Sequence, residues 1–124
     1  MADPDPKLVE VAHLVLDLAR DGDVERLAAY VDSGVPVELT DTAGNTLLML
    51  AAYHGHAGAV RALVARGAVV DALNDRGQSP LAGAVFKGED GVVEFLLGAG
   101  ADPDAGQPTA RATAAMFGRS DLLR

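Results

Sequence analysis

Two histidines and a tyrosine stand together in the sequence, as Tyr53, His54 and His56 around Gly55. Two imidazoles two residues apart could ligate a metal ion or take part in catalysis. A structural zinc site, however, needs about four ligands, and the remaining histidine, His13, is distant in the sequence. We therefore favour a structural role for His56 at the start of a helix, where free backbone groups need partners. A small-ligand, metal-binding or enzymatic role for the His54/His56 region is the alternative.

Neither the serines nor the paired carboxylates fall into a recognisable catalytic motif. Pairs such as Glu89 and Asp90 lie at predicted turns between helices, where acidic side chains favour a helix N-terminus. The chain has no cysteine, so disulfides and thiolate chemistry are excluded. The sequence therefore predicts a non-enzymatic protein that holds no cofactor and no metal ion.

The charge balance makes nucleic acid an improbable partner. The chain carries 18 acidic and 10 basic residues, a net charge of −8 that repels phosphate backbones. Its longest strongly apolar run, residues 47–53, is far shorter than the roughly 20 residues that span a bilayer. The first residues do not resemble a secretory signal. We therefore expect no membrane contact and a cytoplasmic location, and the composition is typical of a GC-rich bacterial genome.

A repeat of 33 residues organises the chain, because residues 41–73 align with 74–106 without a gap. Thr46 and Ser79 supply helix N-cap oxygens, and Pro80 suits the first helical position. Each unit then has an inter-helix glycine, a second helix with an apolar stripe and a closing glycine. The matching residues of the two units are Gly55 and Gly88, Val60 and Val93, Leu63 and Leu96, Val64 and Leu97, and Gly67 and Gly100.

Two divergent units flank this pair. The first, residues 6–40, begins at an Asp5–Pro6 cap and repeats the stripe as Leu27, Tyr30 and Val31. The last, residues 107–124, matches with a shift of 30 and is shortened. The predicted domain is therefore a single all-α solenoid of residues 1–124, built of four helix-turn-helix units at 6–40, 41–73, 74–106 and 107–124. Short loop fingers connect the units, and the two outer units act as caps.

The residues of the second unit resemble the ankyrin repeat. They are Asp41, Gly44, Thr46, Leu48, Ala51, Ala52, Gly55 and His56, followed by Leu63, Val64, Gly67 and Ala68. The resemblance covers about residues 8–124 and implies a scaffold that binds another protein. The family's Thr-Pro-Leu-His stands here as residues 46–49 and 79–82, and both stretches lack the histidine that joins neighbouring loops, so less rigid loops are expected.

The two residues before each inter-helix glycine form a column along the repeats, and three of the chain's five aromatic residues belong to it. The resemblance implies that this column lies on the concave, partner-binding face, although sideways packing of Tyr53 and Phe86 for stability is the alternative. The candidate binding residues in the column are Arg20, Tyr53, His54, Phe86, Lys87, Met116 and Phe117. Secondary candidates at the loop tips are Thr42, Ala43, Asn45, Asp75, Arg76 and Gln78. Self-association through the C-terminal unit is a further hypothesis, because the apolar Leu122 and Leu123 end that unit.

Overall fold

The computed structural model describes residues 5–123, and the regular structure in that range is helical. A single isolated β-bridge, between Thr40 and Thr46, closes the first loop finger. The helices in chain order are α1 (Pro6–Asp21), α2 (Val24–Asp32), α3 (Leu47–Tyr53), α4 (Ala57–Ala65), α5 (Pro80–Lys87), α6 (Asp90–Gly98), α7 (Ala110–Met116) and the 3-10 helix η1 (Ser120–Leu123).

The helices form two rows. The inner row stacks α1, α3, α5 and α7 in that order, and the outer row stacks α2, α4, α6 and η1. Each helix packs against its partner in the same unit and against its neighbours in the same row, as in a solenoid. The prediction of an all-α solenoid of four helix-turn-helix units is confirmed, whereas the unit boundaries at 41, 74 and 107 stay a prediction.

The three helices α1, α3 and α5 begin at side-chain caps. Asp5 accepts a hydrogen bond from the backbone N–H of Lys7 at the start of α1. Thr46 Oγ1 accepts from Met49 N at 3.1 Å, and Ser79 Oγ accepts from Ala82 N at 3.0 Å. Each cap satisfies one of the backbone donors that a helix start leaves free. The caps predicted for α1, α3 and α5 are therefore present.

The core runs continuously along the stack between the two rows. The outer helices bury Leu27, Val60 and Val93, which repeat the same position of the apolar stripe. Leu63 and Leu96 are buried one helical turn further along. Leu122 and Leu123 of η1 are half-buried and pack against this core. Within the described residues no helix is both long enough and apolar enough to cross a membrane.

Two of the inter-helix glycines are also close-packed. Gly22 has a φ of 75° and Gly55 a φ of 76°, a backbone conformation that side chains with a Cβ atom rarely adopt. A Cβ atom on Gly22 would lie 2.5 Å from the ring of His56 in the next unit, and one on Gly55 would meet the carboxylate of Glu89. Each of these glycines is therefore needed both for the turn within its own unit and for the close packing of the following unit.

Candidate functional site

The predicted aromatic column lies at the C-terminal ends of the inner helices and is solvent-exposed. Tyr53 is 37% exposed, Phe86 57%, Met116 71% and Phe117 50%. The ring of Phe86 meets that of Phe117 edge to face, with centroids 5.7 Å apart. Lys87 Nζ lies 5.0 Å from the centroid of Tyr53. These contacts link the second, third and fourth units into one surface, which we call the aromatic column.

The first unit contributes a charged residue to the column. Arg20 donates to Asp17 at 2.8 Å and to Asp41, across the unit boundary, at 3.5 Å. Because its guanidinium is held by two carboxylates, Arg20 is less free to meet a partner than the exposed Lys87. His54 is exposed, and its ring packs edge to face on Tyr53 with centroids 5.4 Å apart.

A groove of about 420 Å³ runs between the aromatic column and two loop fingers, the first formed by residues 40–46 and the second by the equivalent residues 73–79. Its walls include Tyr53 and Phe86 from the column and Asn45, Arg76 and Gln78 from the fingers. Of the other predicted residues, Ala43 also lines the groove. Thr42 and Asp75 lie on the fingers outside its lining, and Arg20, His54, Lys87, Met116 and Phe117 flank it along the column. The structure thus brings part of both predicted sets together around one concavity.

Side-chain amides join the two fingers. Asn74 Nδ2 donates to Asn45 Oδ1 and to Gln78 Oε1, each at 2.8 Å. The backbone N–H of Asp75 donates to the carbonyl of Ala43 at 3.0 Å. The fingers are therefore connected by direct hydrogen bonds, although the histidine expected between them is absent.

Asp41 organises the first finger as Asn74 organises the second. Its Oδ1 accepts from the backbone N–H groups of Ala43 and Asn45 at 2.9 Å. Burial by itself raises the pKa of the Asp41 carboxyl. The hydrogen bonds from Asn45 and Ala43, together with the charge of Arg20, outweigh burial and hold that pKa below its usual value.

Asp41→Asn is expected to lower the free energy of unfolding by about 1 kcal/mol or less at pH 7. The loss is small because an asparagine side chain can make the equivalent hydrogen bonds, as Asn74 does in the second finger. A carboxyl whose pKa is depressed in the folded state stabilises that state above the unfolded pKa of about 3.9, and this contribution is lost as pH falls through the folded value. Urea unfolding at pH 7 and pH 3 should therefore show a smaller advantage of the wild type at pH 3 than at pH 7. An equal difference at both pH values would contradict this origin.

His56 binds the preceding unit instead of capping its own helix. Its side chain makes no capping hydrogen bond at the start of α4, and the same holds for Glu89 at the start of α6, whereas Asp23 does cap α2. Nε2 of His56 lies 2.7 Å from the backbone carbonyl oxygen of Arg20, at the end of α1. Since a carbonyl only accepts, Nε2 must carry the proton and donate. The expected cap of α4 is thus wrong in detail, and the imidazole joins the first two units.

The histidine pair does not form a pocket. The rings of His54 and His56 lie 6.4 Å apart, and neither residue lines the groove. Among residues 5–123 no cluster of three or more His, Asp or Glu side chains is arranged to hold a metal ion. The geometry of the pair therefore offers no support to the metal-binding or enzymatic alternative.

We expect His56→Ala to cost about 1 kcal/mol of stability, because it removes the hydrogen bond to Arg20. His54→Ala is the matched control, and as an exposed substitution it should change stability by about 0.5 kcal/mol or less. Urea unfolding with and without EDTA measures both effects. A larger loss for His54→Ala, or a loss on adding EDTA to the wild type, would show that His54 has a structural or metal-binding role.

The comparison with known families agrees with this geometry. The sequence model of a family described as "Ankyrin repeats (3 copies)" matches residues 15–107, which is most of the chain. The chain belongs to the ankyrin-repeat family. Ankyrin repeats are in general protein–protein interaction modules, and the family is typically non-enzymatic.

A bacterial relative shows similarity over part of the ankyrin repeats. An ankyrin repeat protein of Pseudomonas aeruginosa is 46% identical over 57 residues, which cover 46% of this chain and 33% of the relative. The matched region thus spans about a third of the length of that relative.

Several residues that line the groove of this ankyrin domain were not among the sequence candidates. They are Met49, Leu50, Asn74, Ala82, Gly83, Pro108 and Thr113. Met49 and Ala82 occupy the positions of the missing family histidine. This departure from the motif was the sequence feature that could have identified these two residues as part of the groove. Gly83 leaves room, because a Cβ atom there would lie 3.4 Å from Met49 Sδ and 3.6 Å from the ring of Tyr53.

Proposed function

We propose that this ankyrin domain is a non-enzymatic binding module that takes a partner protein on the inner face formed by the aromatic column and the groove. The observation that carries the proposal is the exposure of Phe86, Met116 and Phe117 beside a concavity. Contiguous apolar surface of this kind on a soluble domain marks interaction sites. Aromatic side chains at the centre of an interface are also the commonest binding hot spots.

The rival role for these aromatic residues is stabilisation of the stack. Tyr53 is the most covered of them and contributes to packing, since its ring contacts Lys87 and His54. Phe86 is more than half exposed and meets Phe117 only edge to face. A ring placed for stability would be expected to bury more of its surface, so partner binding explains Phe86 better.

The test is affinity capture from an extract of the cells that produce the protein. The immobilised wild type is compared with the Tyr53→Ala, Phe86→Ala double variant and with Gly83→Leu, which fills the groove without removing an aromatic anchor. The double variant should retain at least tenfold less of the captured protein, because each hot-spot residue contributes about 2 kcal/mol or more. Gly83→Leu should also reduce capture, because the leucine side chain would occupy the groove. The helix should tolerate Gly83→Leu, since glycine is unfavourable inside a helix.

Val69→Ala is the control for this experiment, because Val69 is exposed but lies outside the groove lining. Thermal unfolding must show that every variant is folded at the temperature of capture. Undiminished capture by the folded double variant would refute binding through the inner face. Reduced capture by Val69→Ala as well would indicate a non-specific loss.

We further propose that this domain regulates or assists its partner. A non-enzymatic domain acts on a partner by holding it in place or by covering part of its surface. A cytoplasmic location is part of the proposal, and cell fractionation tests it. Self-association through the C-terminal unit, in which Leu122 and Leu123 are half-buried and Met116 and Phe117 are exposed, is the competing hypothesis. Light scattering over a range of concentrations separates the two, because a constant monomer mass leaves the exposed surface of that unit free for another protein.

A further inference from the structure

The groove differs in charge from the rest of the molecule. The chain has a net charge of −8 and 18 acidic residues. The groove lining, taken over the described residues, contains Arg76 but no aspartate or glutamate. Asp75, next to Arg76 in the sequence, lies against Gly44 of the preceding finger. The groove on the inner face is therefore locally positive on an acidic protein.

Among the described residues, two cations at this face, Arg76 and Lys87, are unpaired, whereas most other arginines are not. Arg20, Arg26, Arg66, Arg111 and Arg119 each lie within 4 Å of a carboxylate. Arg76 and Lys87 form no ion pair with any of residues 5–123, and both are exposed. Lys87 contacts the ring of Tyr53, which leaves its ammonium hydrogens free to donate.

The uncharged polar side chains of the groove also leave hydrogen-bond donors unpaired. Gln78 uses its Oε1 to accept from Asn74, and within the described structure its Nε2 has no acceptor. Asn45 uses its Oδ1 to accept from Asn74 and its Nδ2 to donate to Asp41. The unused polar side-chain groups of the described lining are therefore donors, namely those of Arg76 and Gln78, and Lys87 adds a further donor beside the lining. A ligand that complements them must supply acceptors.

We propose, as an extension of the proposed function, that the part of the partner that docks here is an acidic peptide segment with a large apolar side chain beside a carboxylate. The apolar side chain enters the groove between Tyr53 and Phe86. Arg76 receives the carboxylate through its planar fork of donors, which matches a carboxylate in two parallel hydrogen bonds. Lys87 adds a second positive charge at the edge of the column.

Screening explains how an acidic protein can prefer an acidic segment. At physiological ionic strength charges interact over about 8 Å, so the nearest groups decide the sign of the field that a docked peptide meets. The one charged side chain in the described lining is Arg76, and Lys87 adds a second unpaired cation beside it. A basic segment would instead be attracted to the acidic remainder of the surface, outside the groove.

The test is selection from a library of random twelve-residue peptides, with the whole chain as bait at physiological salt. The baits are the wild type, Arg76→Gln with Lys87→Gln, and Tyr53→Ala with Phe86→Ala. The matched control is Lys7→Gln with Arg61→Gln, which removes one lysine and one arginine that are exposed and lie outside the groove lining. The affinity of each enriched peptide is then measured for every bait.

The wild type should enrich peptides that place aspartate or glutamate beside leucine, methionine or an aromatic residue. Arg76→Gln with Lys87→Gln should weaken them about tenfold or more, because hydrogen bonds to charged groups contribute that much. The Lys7→Gln, Arg61→Gln control should bind as the wild type does. Enriched peptides that need Tyr53 and Phe86 but carry no excess of acid, or ignore Arg76 and Lys87, would overturn this inference and leave the proposed function intact. Failure to enrich any peptide that depends on Tyr53 and Phe86 would overturn both.

Discussion

Leu81→Ala is expected to lower the free energy of unfolding by about 2 to 5 kcal/mol, the cost of a cavity at a fully buried leucine. Leu81 is 0% exposed and belongs to α5, which packs against α3 on one side and α7 on the other. The change therefore removes contacts at the middle of the inner row. Because small domains are stable by only about 5 to 15 kcal/mol, a large part of the total would be lost.

Urea unfolding followed by circular dichroism measures this loss. Leu8→Ala is the matched control, since Leu8 is a helical leucine that is 67% exposed, and it should change the stability by about 0.5 kcal/mol or less. If Leu81→Ala also reduces the dependence of the free energy on urea, the stack has separated into parts that unfold independently. A loss below about 1 kcal/mol would show that Leu81 does not hold the inner row together.

Gly22→Ala is expected to cost about 2 to 3 kcal/mol for two separate reasons. An alanine at a φ of 75° costs about 1 to 2 kcal/mol by itself. Its Cβ atom would also displace the ring of His56 and break the hydrogen bond to Arg20, worth about 1 kcal/mol more. Gly88→Ala separates the two, because Gly88 has a φ of 71° and, apart from Gly88 and its two chain neighbours, no atom of the described residues lies within 4 Å of the position that a Cβ atom would take there.

A double-mutant cycle isolates the contact between the first two units. In a His56→Ala background, Gly22→Ala should cost only the backbone term, as Gly88→Ala does in the wild type. The coupling energy between Gly22 and His56 would then be about 1 kcal/mol. Additive effects of the two substitutions would mean that an alanine at position 22 does not disturb the hydrogen bond of His56.

The repeat period made most of the fold predictable. The caps at Thr46 and Ser79 and the buried stripe of Leu63 and Leu96 depend on local sequence and on a 33-residue spacing, so they follow from self-alignment. The same register located the aromatic column, because residues before the inter-helix glycine fall at equivalent helix ends.

Contacts between units were harder to predict. His56 was expected to bind backbone groups at the start of its own helix, but its acceptor is the carbonyl of Arg20, 36 residues earlier. No local sequence pattern predicts a hydrogen bond between residues so far apart. The groove depends on the size of Gly83 opposite Met49 and Tyr53, which is a property of two packed helices. The free donors of Arg76 and Gln78 likewise depend on which groups the neighbouring side chains bind, such as the bond from Asn74 to Gln78 Oε1, and the sequence does not show these pairings.

The stacking of the inner helices sets a length scale for anything that lies along them. Neighbouring packed helices are about 8 to 10 Å apart. Tyr53 ends α3 and Phe117 directly follows α7, and these two helices are separated by α5 alone. A ligand touching both rings must therefore cover roughly 16 to 20 Å, or about six residues of extended chain at about 3.3 Å each. The affinity of peptides of increasing length should therefore rise in steps, each step occurring when the peptide becomes long enough to contact one more repeat.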